Sequence, residues 1–198
     1  GHKSGSAYLV LGPVSGDFTL SSADGTWVGP LPDEVAASAL ARAGDLNDDG
    51  LADWLVGAHH DDTMGLAAGA AYLLLGPATG EGTLASAKAR LLGEQAEDRA
   101  GSAIVGFGDA DGDGFDDLAV GAVGADGAAY RGAAYVVSGP VTGDVLLADA
   151  TAKLPGEADV SFAGNALAAA GDANGDGYDD LLVAAYQDGA GGGAAGAV

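Results

Sequence analysis

The stretch that decides the fold is residues 109–117, Asp-Ala-Asp-Gly-Asp-Gly-Phe-Asp-Asp. Its acidic side chains recur at every second position and return at the ninth, so a tight loop can turn several carboxylates toward one point. Ca²⁺ takes about six to eight oxygen ligands at about 2.3–2.6 Å, which such a loop supplies. Gly114 allows the sharp turn. The predicted ligands are the side chains at positions one, three, five and nine and the backbone carbonyl at position seven: Asp109, Asp111, Asp113, Asp117 and Phe115.

Two further stretches keep the same spacing: residues 45–53 read Asp-Leu-Asn-Asp-Asp-Gly-Leu-Ala-Asp, and residues 172–180 read Asp-Ala-Asn-Gly-Asp-Gly-Tyr-Asp-Asp. Solvated turns also favour Asp, Asn and Gly. Each copy, however, holds at least three carboxylates that would repel one another in a compact turn, which favours a bound cation. The sequence therefore predicts three Ca²⁺ sites, with the further ligands Asp45, Asn47, Asp49, Leu51 and Asp53 in the first loop and Asp172, Asn174, Asp176, Tyr178 and Asp180 in the third.

An EF-hand begins with a similar acidic run, but it needs a Glu at loop position twelve and a helix on each side. Position twelve is Val56, Val120 or Val183 in the three copies. The residues after the loop form a short apolar run that ends at glycine or alanine, which is typical of a buried strand. The EF-hand is therefore excluded.

A second motif repeats with the same step along the chain. Residues 5–13, Gly-Ser-Ala-Tyr-Leu-Val-Leu-Gly-Pro, return in related form at 69–77 and 132–140, and the acidic loops keep these steps of 64 and then 63 residues. One unit has therefore been copied. We predict a single domain over residues 1–198, with repeats at about 5–68, 69–131 and 132–195 and the start of a fourth at 196–198.

Each unit contains four short pieces that are typical of strands. They are the Tyr-containing strand, a polar stretch near Gly29, Gly93 or Gly156, a run of small residues before the acidic loop, and the apolar run after it. Radial repetition of four-stranded meanders gives a β-propeller. The predicted fold class is therefore all-β, a β-propeller segment of four-stranded antiparallel blades.

These units resemble the FG-GAP repeat of the integrin α-subunit propeller, over nearly the whole chain. The resemblance rests on the Asp-x-[Asp/Asn]-x-Asp-Gly-x-x-Asp loop and the Asp-Leu-x-Val-Gly-Ala strand after it. The family's Phe is present only as Phe162, with Val35 and Arg99 at the equivalent positions, and Ala184 replaces the strand glycine in the last copy. The resemblance implies structural Ca²⁺ in the hairpin between the first two strands of each blade.

Composition limits the other possible functions. The formal net charge of −22 opposes binding to nucleic acid or to an anionic membrane. No apolar run approaches the roughly 18 residues that span a bilayer, and no signal peptide is recognised. The absence of cysteine excludes disulfides and thiolate metal sites. Millimolar extracellular Ca²⁺ suits such loops, so we expect a secreted or cell-surface location.

The repeats are out of phase with the blades. Two outer strands come first, two complete blades follow, and two inner strands come last, whereas propellers need about four to eight blades. We therefore expect the inner strands near Leu167 and Leu182 to pair with the outer strands near Tyr8 of another copy, giving a homodimer with a six-bladed ring. The alternative is a piece of a longer propeller that stays monomeric with exposed edges.

No nucleophile with its base can be named, so we expect no catalysis. The expected function is a protein-interaction or adhesion module; a carbohydrate-binding propeller and a non-catalytic appendage of a secreted enzyme stay open. His59 and His60 occur in one copy only, which favours an ordinary loop over a ligand role. Trp54 occupies a repeated core position, whereas Trp27 has no aromatic equivalent and is the better candidate for an exposed binding surface.

Overall fold

The computed structural model of the chain describes residues 4–32 and 35–187. The predicted start of a fourth repeat at 196–198 lies outside them. The strands are β1 (Ser6–Leu9), β2 (Gly25–Val28), β3 (Ala39–Gly44), β4 (Asp53–Ala58), β5 (Ala70–Leu74), β6 (Gly80–Thr83), β7 (Ala89–Leu92), β8 (Ala100–Gly108), β9 (Asp117–Ala122), β10 (Ala133–Val137), β11 (Gly143–Leu146), β12 (Ala152–Pro155), β13 (Ala163–Gly171) and β14 (Asp180–Ala185). Four single 3₁₀ turns span Leu20–Ser22, Leu84–Ser86, Gly127–Ala129 and Leu147–Asp149.

The strands form four sheets in chain order. Sheet one has the order β1-β2-β6, sheet two β11-β7-β5-β4-β3, sheet three β12-β10-β9-β8, and sheet four β13-β14. Strands β3, β4, β5 and β7, and likewise β8, β9, β10 and β12, pair antiparallel with their neighbours. The predicted class, an all-β propeller segment with four-stranded antiparallel blades, is confirmed.

Two sheets carry an additional strand that the sequence analysis did not predict. Strand β6 pairs parallel with β2, and β11 pairs parallel with β7, so each of these strands comes from the repeat that follows its sheet. Their sequences, Gly-Glu-Gly-Thr and Gly-Asp-Val-Leu, are short, and the first contains no large apolar side chain. They lack the apolar alternation that identifies a strand in sequence, and they gain their hydrogen bonds only by joining the edge of the preceding sheet.

The core lies within and between the sheets. The repeated tyrosines Tyr72 and Tyr135 are 1% and 0% exposed, whereas Tyr8, in incomplete sheet one, is 41% exposed. Close approach between sheets depends on glycine: a Cβ on Gly57 would lie 2.2 Å from the carbonyl oxygen of Gly101 in the next sheet. Small residues in the inner strands therefore set a short distance between sheets.

Trp27 is buried, at 9% exposed, so it does not provide the exposed surface for which it was the better candidate. Its ring lies over two glycines. A Cβ on Gly25 would lie 2.3 Å from the ring. Gly82 is the residue paired with Trp27 across strands β2 and β6, and a Cβ on Gly82 would lie 3.1 Å from the ring. Because glycine has no side chain, Gly25 and Gly82 leave room for the indole. Trp54 is half-buried in β4.

Within residues 4–32 and 35–187, no helix is long and apolar enough to cross a membrane.

Candidate metal sites

The three acidic loops occupy equivalent places in the fold. Residues 45–53 connect β3 to β4, residues 109–117 connect β8 to β9, and residues 172–180 connect β13 to β14. Each loop thus joins the first two strands of a sheet, and a register shift where the loop meets the hairpin marks the end of regular pairing. We refer to them as loops one, two and three.

Loop two brings three of its predicted ligands together. One carboxylate oxygen from each of Asp109, Asp111 and Asp117 lies within 4.8 Å of the other two. In the described part of the chain, no other three acidic or histidine side chains converge in this way. Asp113 is not a member of the group. Three carboxylate oxygens of graded burial are a donor set that fits a hard divalent cation such as Ca²⁺.

The first Asp of each loop organises the turn. Asp109 accepts hydrogen bonds from the backbone N–H of Gly112 at 2.6 Å and of Gly114 at 3.0 Å. Asp172 accepts from the same two positions of loop three, four and six, and Asp45 accepts from positions five and six of loop one. The fifth residue then accepts from the N–H at position seven in all three loops, at 2.9 to 3.0 Å. The carboxylates thus shape the loop by binding its own backbone, which is an Asx-type arrangement.

The ninth Asp joins the loop to the next turn. Asp117 is fully buried and accepts from the N–H of Ala110 at 2.9 Å and of Gly139 at 3.0 Å. Asp53, also fully buried, accepts from the equivalent two amides in the first repeat. Asp180 accepts from the N–H at position two of its loop at 2.9 Å. The sequence predicted a ligand here but not the link to the Gly-Pro turn after the Tyr strand.

The pKa values of these carboxyl groups differ with their surroundings. Burial raises the pKa of Asp53 and Asp117, and the two backbone N–H groups that each accepts from oppose the rise. The exposed Asp172 has a pKa below its usual value because of backbone hydrogen bonds, that from Gly177 foremost. A nearby cation would favour the charged form of the buried ninth Asp and so oppose the effect of burial.

Loops one and three differ from loop two at position three. The amides of Asn47 and Asn174 donate to Asp49 at 2.9 Å and to Asp176 at 3.0 Å. An internal donor thus replaces the third carboxylate, and mutual repulsion in these loops is smaller. The ligand sets predicted for the three loops stay predictions, as does the Ca²⁺ in each; in loop two three of the predicted ligands converge.

The adjacent histidines His59 and His60 contact each other edge to face, with ring centroids 4.5 Å apart. Burial lowers the pKa of His59. Neither joins a cluster of metal-ligating side chains among the described residues.

Comparison with known proteins identifies the family to which these repeats belong. The family model of the FG-GAP repeat matches residues 102–137 and 163–198. Integrin alpha-5 of Xenopus laevis is 34% identical over 154 residues, which cover 73% of this chain and 14% of the relative. Integrin alpha-4 of the same species is 32% identical over 152 residues, covering 75% and 14%. The chain belongs to the FG-GAP, integrin α-like family. It spans about a seventh of the length of these relatives.

The position at which the FG-GAP family has Phe varies in side chain among the three repeats but keeps one backbone conformation. Val35, Arg99 and Phe162 have φ angles of 51°, 56° and 52°. This left-handed conformation is uncommon for residues other than glycine, so its presence in all three copies reflects the path of the chain. Phe162 adds stacking on Tyr186, with ring centroids 5.3 Å apart. The FG-GAP repeat here conserves a turn geometry, while the aromatic contact belongs to the third copy.

Proposed function

We propose that this chain is a non-catalytic interaction module of the adhesion type, an FG-GAP propeller segment stabilised by Ca²⁺. The observation that carries the proposal is the convergence of Asp109, Asp111 and Asp117 within 4.8 Å in the first hairpin of a complete sheet. The similarity to integrin α chains supports the adhesion class.

In this proposal Ca²⁺ has a structural role. The ion would offset the repulsion among the loop carboxylates and would favour the charged form of buried Asp117, whose pKa burial raises. Because Asp117 also holds Ala110 and Gly139, fixing it would fix the β8–β9 hairpin and the turn after β10 together. A ligand that binds only the folded state adds stability by mass action.

The test is thermal unfolding in EDTA, in Ca²⁺ and in Mg²⁺. One site filled at 100 times its Kd adds about 2.7 kcal/mol. The Asp111→Ala variant should lose part of the increase in Tm that Ca²⁺ produces. The matched control is Asp17→Ala, which removes the same charge from an exposed position outside the loops. A wild-type Tm that is the same in EDTA and in millimolar Ca²⁺ would contradict the proposal.

The proposed partner is a second copy of this chain. Two inner-strand side chains are more exposed than a counterpart in another repeat: Leu40 is 60% exposed against 7% for Ile104, and Leu182 is 47% exposed against 0% for Leu55. Leu40 borders an apolar cleft of about 300 Å³ between sheets one and two. The cleft is also lined by Tyr8, Leu9, Trp27, Trp54 and Leu74. The exposed strands of sheet four have the apolar character to fill it.

The internal sheets define the register of this pairing. In sheet three the repeated Tyr135 lies opposite Val120, and sheet two keeps the same register. Applied to the free edges, this register places Tyr8 of one copy opposite Val183 of the other. Strand β1 would then complete sheet four, as β10 completes sheet three.

One substitution makes this contact weaker than the internal ones. Gly57 and Gly121 approach backbone carbonyls of the next sheet, where a Cβ would lie 2.2 Å and 2.0 Å from the oxygen. Ala184 stands at the equivalent position of sheet four. Its methyl group must hold the second copy further away, so we expect a dimer that dissociates on dilution.

Light scattering over a range of protein concentrations tests the partner. The wild-type mass should rise with concentration toward that of a dimer, Ala184→Gly should shift the transition to lower concentration, and Leu182→Asp should abolish it. A monomeric mass for the wild type and for Ala184→Gly at every concentration would refute the pairing.

We also propose an extracellular location, since calcium at millimolar concentration is found there. Export can be measured directly by fractionating cells that express the full-length protein.

A further inference from the structure

Loops two and three each contact the loop before them through the Asp at position eight. The carboxylate of Asp116 accepts a hydrogen bond from the backbone N–H of Asp45 at 2.8 Å. The carboxylate of Asp179 accepts from the N–H of Asp109 at 3.1 Å. The partners are 71 and 70 residues apart in sequence, so both contacts cross from one sheet to the next. We call Asp116 and Asp179 the inter-loop aspartates.

The chain leaves space for these carboxylates. Gly44 and Gly108, which precede the loops that receive the contact, have φ angles of +94° and +92°. A Cβ on either would lie 2.0 Å from the Oδ2 atom of the inter-loop aspartate. Any side chain there would displace the carboxylate. Gly171, at the equivalent position of sheet four, has open space around its Cβ position.

The contact holds the backbone of a predicted ligand. Asp45 and Asp109 are the first residues of loops one and two, and their own carboxylates organise those loops. Between loops three and two there is a second bond, from the N–H of Asp179 to the carbonyl of Asp109 at 3.1 Å. The direction is constant: each later loop holds the start of the earlier one.

The first repeat provides an internal comparison, because position eight of loop one is Ala52. Alanine has no side-chain oxygen, so loop one receives this contact from loop two but makes none toward a loop before it. An Asp at position eight is therefore present in loops two and three, each of which follows another acidic loop in the chain.

We propose that Asp116 and Asp179 are positioning residues that couple the three loops in series, so that order in one loop stabilises the loop before it. The coupling itself needs no metal. With Ca²⁺, and here the inference rests on the proposed function, binding in one loop raises the affinity of its neighbour, and the effect is reciprocal.

Amide hydrogen exchange in EDTA, read residue by residue by NMR, tests the contacts without metal. Asp116→Ala should speed exchange of the Asp45 amide by roughly tenfold, as expected for a lost hydrogen bond to a charged acceptor, and should leave the Asp109 amide unchanged. Asp179→Ala should speed exchange of the Asp109 amide by a similar factor and, because loop two holds the start of loop one, should speed exchange of the Asp45 amide by a smaller factor. The two variants therefore give different patterns, which separates the series from two independent hydrogen bonds. Asp116→Asn, which keeps an acceptor oxygen, should restore much of the protection at Asp45.

Unchanged exchange at Asp45 in Asp116→Ala would overturn the proposal, and so would an equal increase at all three loops, since that reports general loss of stability. A Ca²⁺ titration of the same variants separates the two hypotheses. If the exchange pattern is as expected but Ca²⁺ leaves the wild-type Tm unchanged, the proposed function fails and the coupling stands. If Ca²⁺ protects loops one and two equally in the wild type and in Asp116→Ala, the coupling fails and the proposed function stands.

Discussion

Gly121→Ala tests whether glycine sets the spacing between sheets. A Cβ on Gly121 would lie 2.0 Å from the carbonyl oxygen of Gly164 and 3.0 Å from its carbon. Carbon–oxygen contacts under 3.0 Å are not tolerated, so β9 and β13 would have to separate by at least about 1 Å. The obstacle is backbone in a paired strand, which cannot rotate away as a side chain can.

The expected loss combines two opposing effects. Overpacking of a well-packed interior costs about 1–3 kcal/mol. Replacing glycine by alanine also restricts the unfolded chain, which returns about 0.4–1 kcal/mol where the backbone conformation suits alanine. We expect a net loss of about 1–2 kcal/mol, which lowers Tm by about 2–8 °C in a chain of this size.

Urea unfolding followed by circular dichroism measures this loss. The control is Gly12→Ala, since a Cβ there meets no atom within 4 Å, and its stability should stay within about 0.5 kcal/mol of the wild type. If Gly121→Ala unfolds at the same urea concentration as the wild type with the same m value, the sheets are free to move apart and the argument from glycine is wrong.

Three further predictions concern charge. Burial raises the pKa of Asp98 above its unfolded value, so its contribution to stability falls as pH rises from the unfolded pKa, about 3.9, through the folded pKa. The urea-derived stability of Asp98→Asn relative to the wild type should therefore rise with pH over that range. Equal slopes would contradict this. In saturating Ca²⁺, Asp113→Ala should lose more stability by calorimetry than Asn47→Ala, because loop two has the most carboxylates; equal losses would contradict the order. Arg90 and Asp144, both partly exposed and paired at 2.6 Å, should couple by less than about 1 kcal/mol in a double-mutant cycle, and the coupling should vanish in 1 M salt. A coupling energy that is larger and persists in 1 M salt would contradict the expectation that solvent and salt screen this ion pair.

Periodicity made the sheets predictable. The Tyr strand and the acidic loop repeat with one step, so each copy supports the strand assignments of the others. The parallel strands β6 and β11 were not predictable in this way. Gly80–Thr83 and Gly143–Leu146 have little apolar pattern of their own, and their pairing depends on the edge of a sheet that the preceding repeat builds.

The burial of Trp27 depended on that same unpredicted pairing. Its room comes from Gly25 on its own strand and from Gly82 on β6. The corresponding residues in the second repeat are Ala89 and, across the pair, Val145. A large residue in one repeat is compensated by small neighbours, but this is visible only when the strand register is known.

For the metal sites, the sequence predicted the donor types and their spacing, and the structure brings Asp109, Asp111 and Asp117 together. The sequence analysis did not predict the hydrogen bonds by which Asp116 and Asp179 join loops of neighbouring sheets. A signal was present, since position eight is Asp in two copies and Ala52 in the first. Interpreting it needed the relative placement of neighbouring loops, which the spacing within one loop does not contain.

The parallel pairs β2–β6 and β7–β11 have a mechanical consequence. Each ties a sheet to the chain segment that leads into the following one, so two repeats drawn apart by tension would load all hydrogen bonds of a pair together, in shear. Antiparallel hairpins, by contrast, can open one bond at a time from a free end. The exchange of strands between repeats therefore gives neighbouring repeats a connection that must break as a whole before they separate.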